Sequence, residues 1–220
     1  MIESSIQNVE KVKENPDKPT SFFEILEDKI NPTMPELLQK KEAVSNWWGE
    51  LENDEYPSTY EDRINQTPKE VSDRGVWTGE RGESKYIPTD KEILELLAKY
   101  GLDGIEYRDG IPDFSGCSEA TVTIDNMSEN RYGKGGNFEQ CDQKCADQWN
   151  KEGRDGKNDW TARDVANWRK ENGYTWHERN DMKTCDLIPT KINDYFGHLG
   201  GVGECKRRDD ENSKDGGFDE

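Results

Sequence analysis

The sequence predicts an α+β fold whose chemistry lies toward the C-terminal end. Three observations carry that expectation. Residues 1–70 are rich in Glu, Lys, Asn and Pro and show only short helical patterns. From Trp77 the texture changes to short strand and helix signals in alternation. Residues 174–201, "YTWHERNDMKTCDLIPTKINDYFGHLGG", then read as strand, turn, strand and helix, and they hold both histidines of the chain.

Composition bounds what this fold can do. The 220 residues are 30% hydrophobic with a mean hydropathy of −1.17, so the core is modest. Seven Trp, eight Tyr and six Phe nevertheless argue against a wholly unfolded chain. A net charge of −18 opposes nucleic-acid binding as a whole-molecule property, because phosphate affinity comes from Lys and Arg displacing counterions. The charge is uneven: residues 151–208 carry 12 basic and 10 acidic side chains, ending in Lys206-Arg207-Arg208. No run approaches the roughly 20 apolar residues of a membrane span, and "MIESSIQNVEK" lacks the apolar core of a signal peptide. A leaderless chain with no membrane insertion is expected, either cytoplasmic or exported by a dedicated system. Five cysteines, an odd number, do not close a disulfide framework.

Four segments follow in order. Residues 1–70 read as an acidic helical arm or linker, with patterns in "SFFEILEDKI" and "MPELLQKKEAVSNWWGEL" where Phe22, Ile25 and Leu26 share a face, punctuated by Pro16, Pro19, Pro32 and Pro35. Residues 71–150 form a mixed α/β supporting region. Thr89 and Glu92 have capping-box spacing, Ile93, Leu96, Leu97 and Tyr100 make a helical stripe, and Gly101 supplies the left-handed stop. "GIEYRDGIPDF" and "ATVTIDNM" read as strands, with a turn around Asp109-Gly110. Phe138, Cys141, Cys145 and Trp149 share one helical stripe; two cysteines are an incomplete zinc set, and core thiols are the expected role. Residues 151–208 hold a helix capped by Thr161 and ended by Gly173, then strand "YTWHER", turn "NDMK", strand "TCDLIP", and a helix opened by Thr190 and terminated by Gly200-Gly201. Residues 209–220, "DDENSKDGGFDE", carry a charge of −5 and read as a disordered acidic tail.

A hairpin followed by a helix brings His177 and Glu178 of the first strand near Asn193, Asp194 and His198 of the helix, while Trp176 points to the opposite face. Imidazole, carboxylate and carboxamide suit a divalent ion, and such an ion with a nearby base is what phosphodiester hydrolysis requires. The plain alternative is a hydrogen-bonded packing role for both histidines, with Asp186 and Asp194 as surface charges.

"TWHE", "LIP" and "FGHLGG" in that order resemble the HNH/endonuclease VII superfamily, in particular the nuclease domains with a Trp-His-His or Trp-His-Glu signature at the C-terminal ends of bacterial polymorphic toxins. The detailed likeness covers residues 174–205 and a weaker one reaches back to about residue 75. The resemblance implies a ββα-metal (His-Me finger) core at residues 151–208 and one divalent ion, Mg, Mn, Ni or Zn. It makes His198 a metal ligand. In one register His177 is a ligand and Glu178 the general base; in the register shifted by one, His177 is the base. Asn193 and Asp186 are the further ligand candidates, each departing from the residue that relatives often carry. Lys183, Lys191, Arg207 and Arg208 are candidate phosphate contacts. The implied function is a metal-dependent endonuclease acting on DNA, as a toxin effector with a cognate immunity protein. The alternatives are an RNase, or a noncatalytic acidic protein-binding module on a retained ββα scaffold.

Overall fold

Two small antiparallel sheets share the helices around them. In the computed structural model, residues 56–215 are described, and they cluster as one compact unit. The helical patterns expected at residues 21–30 and 34–51 lie outside the described residues. Helix α1 (Tyr60–Gln66) starts at Thr59, where the Thr59 and Asp62 side chains satisfy each other's backbone N–H groups. Strands β1 (Gly75–Trp77), β2 (Lys85–Pro88), β3 (Ile105–Arg108) and β4 (Ile111–Pro112) form the first sheet in that order. The β3–β4 turn falls at Asp109-Gly110, both with positive φ, as expected. Helix α2 (Lys91–Ala98) lies between β2 and β3. Its cap is Asp90 rather than Thr89: Asp90 accepts from the N–H groups of Glu92 and Ile93, while Thr89 Oγ1 donates to the Asp73 carbonyl.

The second sheet has the order β5 (Ala120–Thr123), β7 (Thr184–Pro189), β6 (Tyr174–Glu178). Helices α3 (Asn137–Glu152) and α4 (Ala162–Glu171) pack on one face of it. The 3.6-residue stripe Phe138, Cys141, Cys145 and Trp149 is buried there with Val165, Trp176, Cys185 and Leu187. All five cysteines are free and buried, and Cys141 and Cys145 take the packing role expected of them. Each large apolar side chain so buried contributes about 1.5–3 kcal/mol. The other face of the sheet meets a second core that joins Tyr86, Leu97, Ile105 and Phe114 to Ile188, Ile192 and Phe196. Period-two alternation along β7 sends Leu187 to the first core and Ile188 to the second.

Several boundaries differ from the sequence reading. The hairpin takes its third strand from β5, so residues 71–150 and 151–208 pack as one body. Arg63, in the stretch read as an arm, is buried and donates to Asp109. Helix α5 (Thr190–Tyr195) opens at Thr190 but stops five residues before Gly200-Gly201. Those glycines lead instead into α6 (Gly201–Asp215), which carries residues 209–215, the first part of the expected tail, as helix. No helix among the described residues is long and apolar enough to cross a membrane.

Candidate functional site

The β6–β7 hairpin sets the geometry. Trp176 pairs with Leu187 and His177 with Asp186, so consecutive residues leave opposite faces of the strand. Trp176 enters the first core, where its Nε1 donates to the buried Asp142 carboxylate at 2.8 Å. Arg169 donates to the same carboxylate through Nε and Nη2 at 2.9 and 3.1 Å, which ties α3, α4 and β6 together. His177 emerges on the other face, edge-on to Phe114 with ring centroids 4.8 Å apart. Glu178 returns to the Trp176 side at the end of the strand.

His198 reaches this point from the loop after α5, not from a helix. Its ring stands 4.7 Å from that of His177 and 5.5 Å from Phe114. His198 Nδ1 lies 2.7 Å from the Phe196 carbonyl oxygen, an acceptor only, so Nδ1 carries the proton and Nε2 keeps its lone pair. Close backbone approach makes this loop possible. A Cβ on Gly197 would stand 2.6 Å from the Gln66 carbonyl oxygen, and one on Gly201 would stand 2.4 Å from that of Arg179. The glycine pair therefore docks the start of α6 against the end of β6.

These side chains line a pocket of about 330 Å³ that also includes Asn193, Arg131, Gln66 and Arg207. Burial holds the His177 imidazole well below the usual histidine pKa, with His198 and Arg179 adding to the effect. Burial lowers His198 as well, partly opposed by its bond to Phe196. Both rings are thus neutral at pH 7, the form that binds a metal or accepts a proton. Asn193 stands beside His177 and favours its charged form, yet Asn193 Oδ1 is buried with no hydrogen-bond partner. Such an orphaned oxygen is costly unless a ligand satisfies it.

Glu178 is differently placed. Arg131 Nε donates to its Oε1 at 3.0 Å, Arg131 Nη2 stands 2.9 Å from its Oε2, and Asn137 Nδ2 donates to Oε1 at 3.2 Å. Burial works against the Arg131 charge, and the Glu178 carboxylate more than offsets it. Asp186 stands apart from the pocket: its oxygens accept from Arg179 at 2.6 and 2.7 Å and from Thr121 Oγ1 at 2.7 Å. It is a hydrogen-bonded strut between β5 and β7. Of the expected phosphate contacts, only Arg207 lines the pocket, and it also pairs with Asp62 at 3.1 Å. Lys183 is exposed outside it, Lys191 pairs with Glu92, and Arg208 pairs with Asp209.

Arg131, Asn137 and Gln66 were missed from the sequence. For Arg131 the signal was present in "RYGKGGN", a basic, glycine-rich run just before a helix.

Among the described residues no three His, Cys, Asp or Glu side chains stand together as a metal site. The third donor here is an amide. Two neutral imidazoles and an unpartnered carboxamide oxygen are a nitrogen and oxygen set that fits a borderline or hard divalent ion.

No curated protein and no solved structure matches the chain. Residues 104–200, from β3 to the loop that carries His198, match the family model described as the DNase/tRNase domain of colicin-like bacteriocin. That stretch holds His177, Glu178, Asn193, His198 and Arg131, so the part of the chain that builds the pocket is similar to a nuclease toxin domain.

Proposed function

We propose that this protein is a metal-dependent endonuclease of HNH type that hydrolyses phosphodiester bonds in DNA. The observation that carries this function is the meeting of His177, His198 and the unpartnered Asn193 oxygen in a pocket edged by Arg131 and Arg207. The likeness to the bacteriocin nuclease domain over the same residues supports it.

His198 Nε2 and Asn193 Oδ1 would hold a divalent ion, with His177 at their side. When bound, that ion supplies Lewis-acid stabilisation of the charge that builds on the phosphate and the leaving oxygen. Arg131, oriented by Glu178, would meet a phosphate oxygen at the pocket rim. Both Glu178 oxygens are already engaged by Arg131, which commits the carboxylate to holding that guanidinium. The neutral His177 imidazole is the better base for the attacking water, which favours the register in which His177 is the base and Glu178 positions Arg131. Trp176, fixed by Asp142, holds the strand that presents His177.

A nuclease that kills must be restrained where it is made, so we assign the protein the role of a toxin effector, exported to act inside a target cell, with an immunity protein as partner. Incubating purified protein with supercoiled plasmid and with structured RNA, each with EDTA or added Mg, Mn, Ni or Zn, tests the function. DNA nicking that needs the metal and disappears in His198→Ala is expected. A folded protein that cleaves neither polymer with any metal contradicts it and favours the noncatalytic binding module.

A further inference from the structure

Resting on the nuclease function above, we infer that Tyr132 is a stacking platform for an unpaired base of the substrate strand, set beside the pocket by the loop that carries Arg131. Val71, Val76 and Tyr132 are the exposed large apolar side chains among the described residues, and Tyr132 is the one adjoining a pocket residue. A singly exposed tyrosine is ordinary in itself. Its setting is not. The Tyr132 ring meets the Phe138 ring at 5.2 Å and 71°, and the Arg131 guanidinium stands 5.8 Å from the same Phe138 ring. Tyr132 and the guanidinium are therefore no more than about 11 Å apart, within about three steps of a strand that rises 3.4 Å per nucleotide.

The loop is held in place rather than free to swing. Gly136 N–H donates to the Gly133 carbonyl at 3.1 Å, Asn137 N–H to Asn130 at 3.0 Å, and Phe138 N–H to Arg131 at 3.1 Å. Gln140 Nε2 donates to the Gly135 carbonyl at 3.0 Å. The near-perpendicular contact with Phe138 leaves ring surface open, and a ring already fixed loses little freedom on binding. The segment carries no net charge, with Arg131 and Lys134 balanced in sequence by Glu129 and Glu139, so the platform adds a contact that does not depend on charge. Stacking does not need charge and tolerates any base, since every base has a π-face. Bases of an intact duplex are already stacked on one another, so the partner is an unpaired or frayed nucleotide, of DNA or RNA.

The test is fluorescence anisotropy of labelled single-stranded DNA, single-stranded RNA and duplex DNA with the full chain in EDTA, where cleavage does not compete. Tyr132→Ala is expected to weaken single-strand binding about 5- to 100-fold, and Tyr132→Phe to stay within about twofold of wild type. Duplex binding is expected to change less than about twofold. The DNA and RNA arms identify which strand the platform takes. Single-strand affinity unchanged in Tyr132→Ala, or an equal loss on duplex, overturns the platform. Wild-type protein that binds no nucleic acid overturns both it and the nuclease function, so the two failures are told apart.

Discussion

At the scale of single residues, the site depends on two neutral histidines and one held carboxylate. Because His177 and His198 both titrate below the unfolded-state value near 6.5, protonation favours the unfolded chain. Their contribution to stability is fully present above pH 6.5 and is lost as pH falls from there toward the folded pKa values. Urea unfolding in EDTA is therefore expected to show stability falling between about pH 6.5 and 5, by at most about 1.4 kcal/mol per pH unit for each ring. His177→Gln/His198→Gln protein should show a flatter profile over that range. The carboxylates held low, Asp62, Asp103 and Asp113 among them, act at lower pH, while Glu83, raised by burial, works in the opposite sense at the acid side of the window. Glu178→Gln keeps the shape of the side chain but loses the charge that fixes Arg131. A fall of about 10- to 100-fold in kcat/KM is expected, with the acid limb of the pH–rate profile unmoved. A limb that shifts or vanishes in that variant would make Glu178 the general base.

Among the elements, the junctions matter more than the elements themselves. A methyl on Gly201 would press on the Arg179 carbonyl and the Met127 sulfur, at 2.4 and 2.6 Å. Gly201→Ala is thus expected to cost about 1–3 kcal/mol in urea unfolding and to lower activity by moving the His198 loop. Asp142→Ala would strand Arg169 and the Trp176 N–H in the core, and a loss of about 3 kcal/mol is expected. The hairpin was legible in the sequence because Trp176 and His177, adjacent in a strand, must leave opposite faces, with Asn180 and Asp181 marking the turn. The Thr161 cap with Asp164 was legible for the same local reason. The end of α5 was not, because Gly197 packs against the Gln66 carbonyl and that contact spans 131 positions of chain. Pairing of β5 with β7 was hidden likewise, since strand partners distant in sequence leave no periodic trace. That Asp186 lies off the pocket was not legible either, because its pairing with Arg179 depends on side-chain direction, which spacing alone does not give.

For the whole molecule, the proposed function requires a charge of −18 to coexist with a nucleic-acid substrate. Among the described residues two arginines, Arg131 and Arg207, line the pocket, and both have acidic neighbours. Few counterions are therefore released on binding. A plot of log affinity against log salt is expected to have a slope of roughly −2, far shallower than that of a strongly basic DNA-binding protein. On that function, acidity elsewhere would keep the molecule from coating nucleic acid and leave recognition to the pocket and its rim. The most direct test of the central claim is plasmid nicking by wild type, His177→Ala and His198→Ala, each confirmed folded by circular dichroism, with EDTA or an added divalent metal. Metal-dependent nicking by wild type alone, at least about a hundredfold above either variant, is the expected result. Cleavage that survives in EDTA, or equal cleavage by the folded histidine variants, would contradict the assignment of this pocket as the nuclease centre.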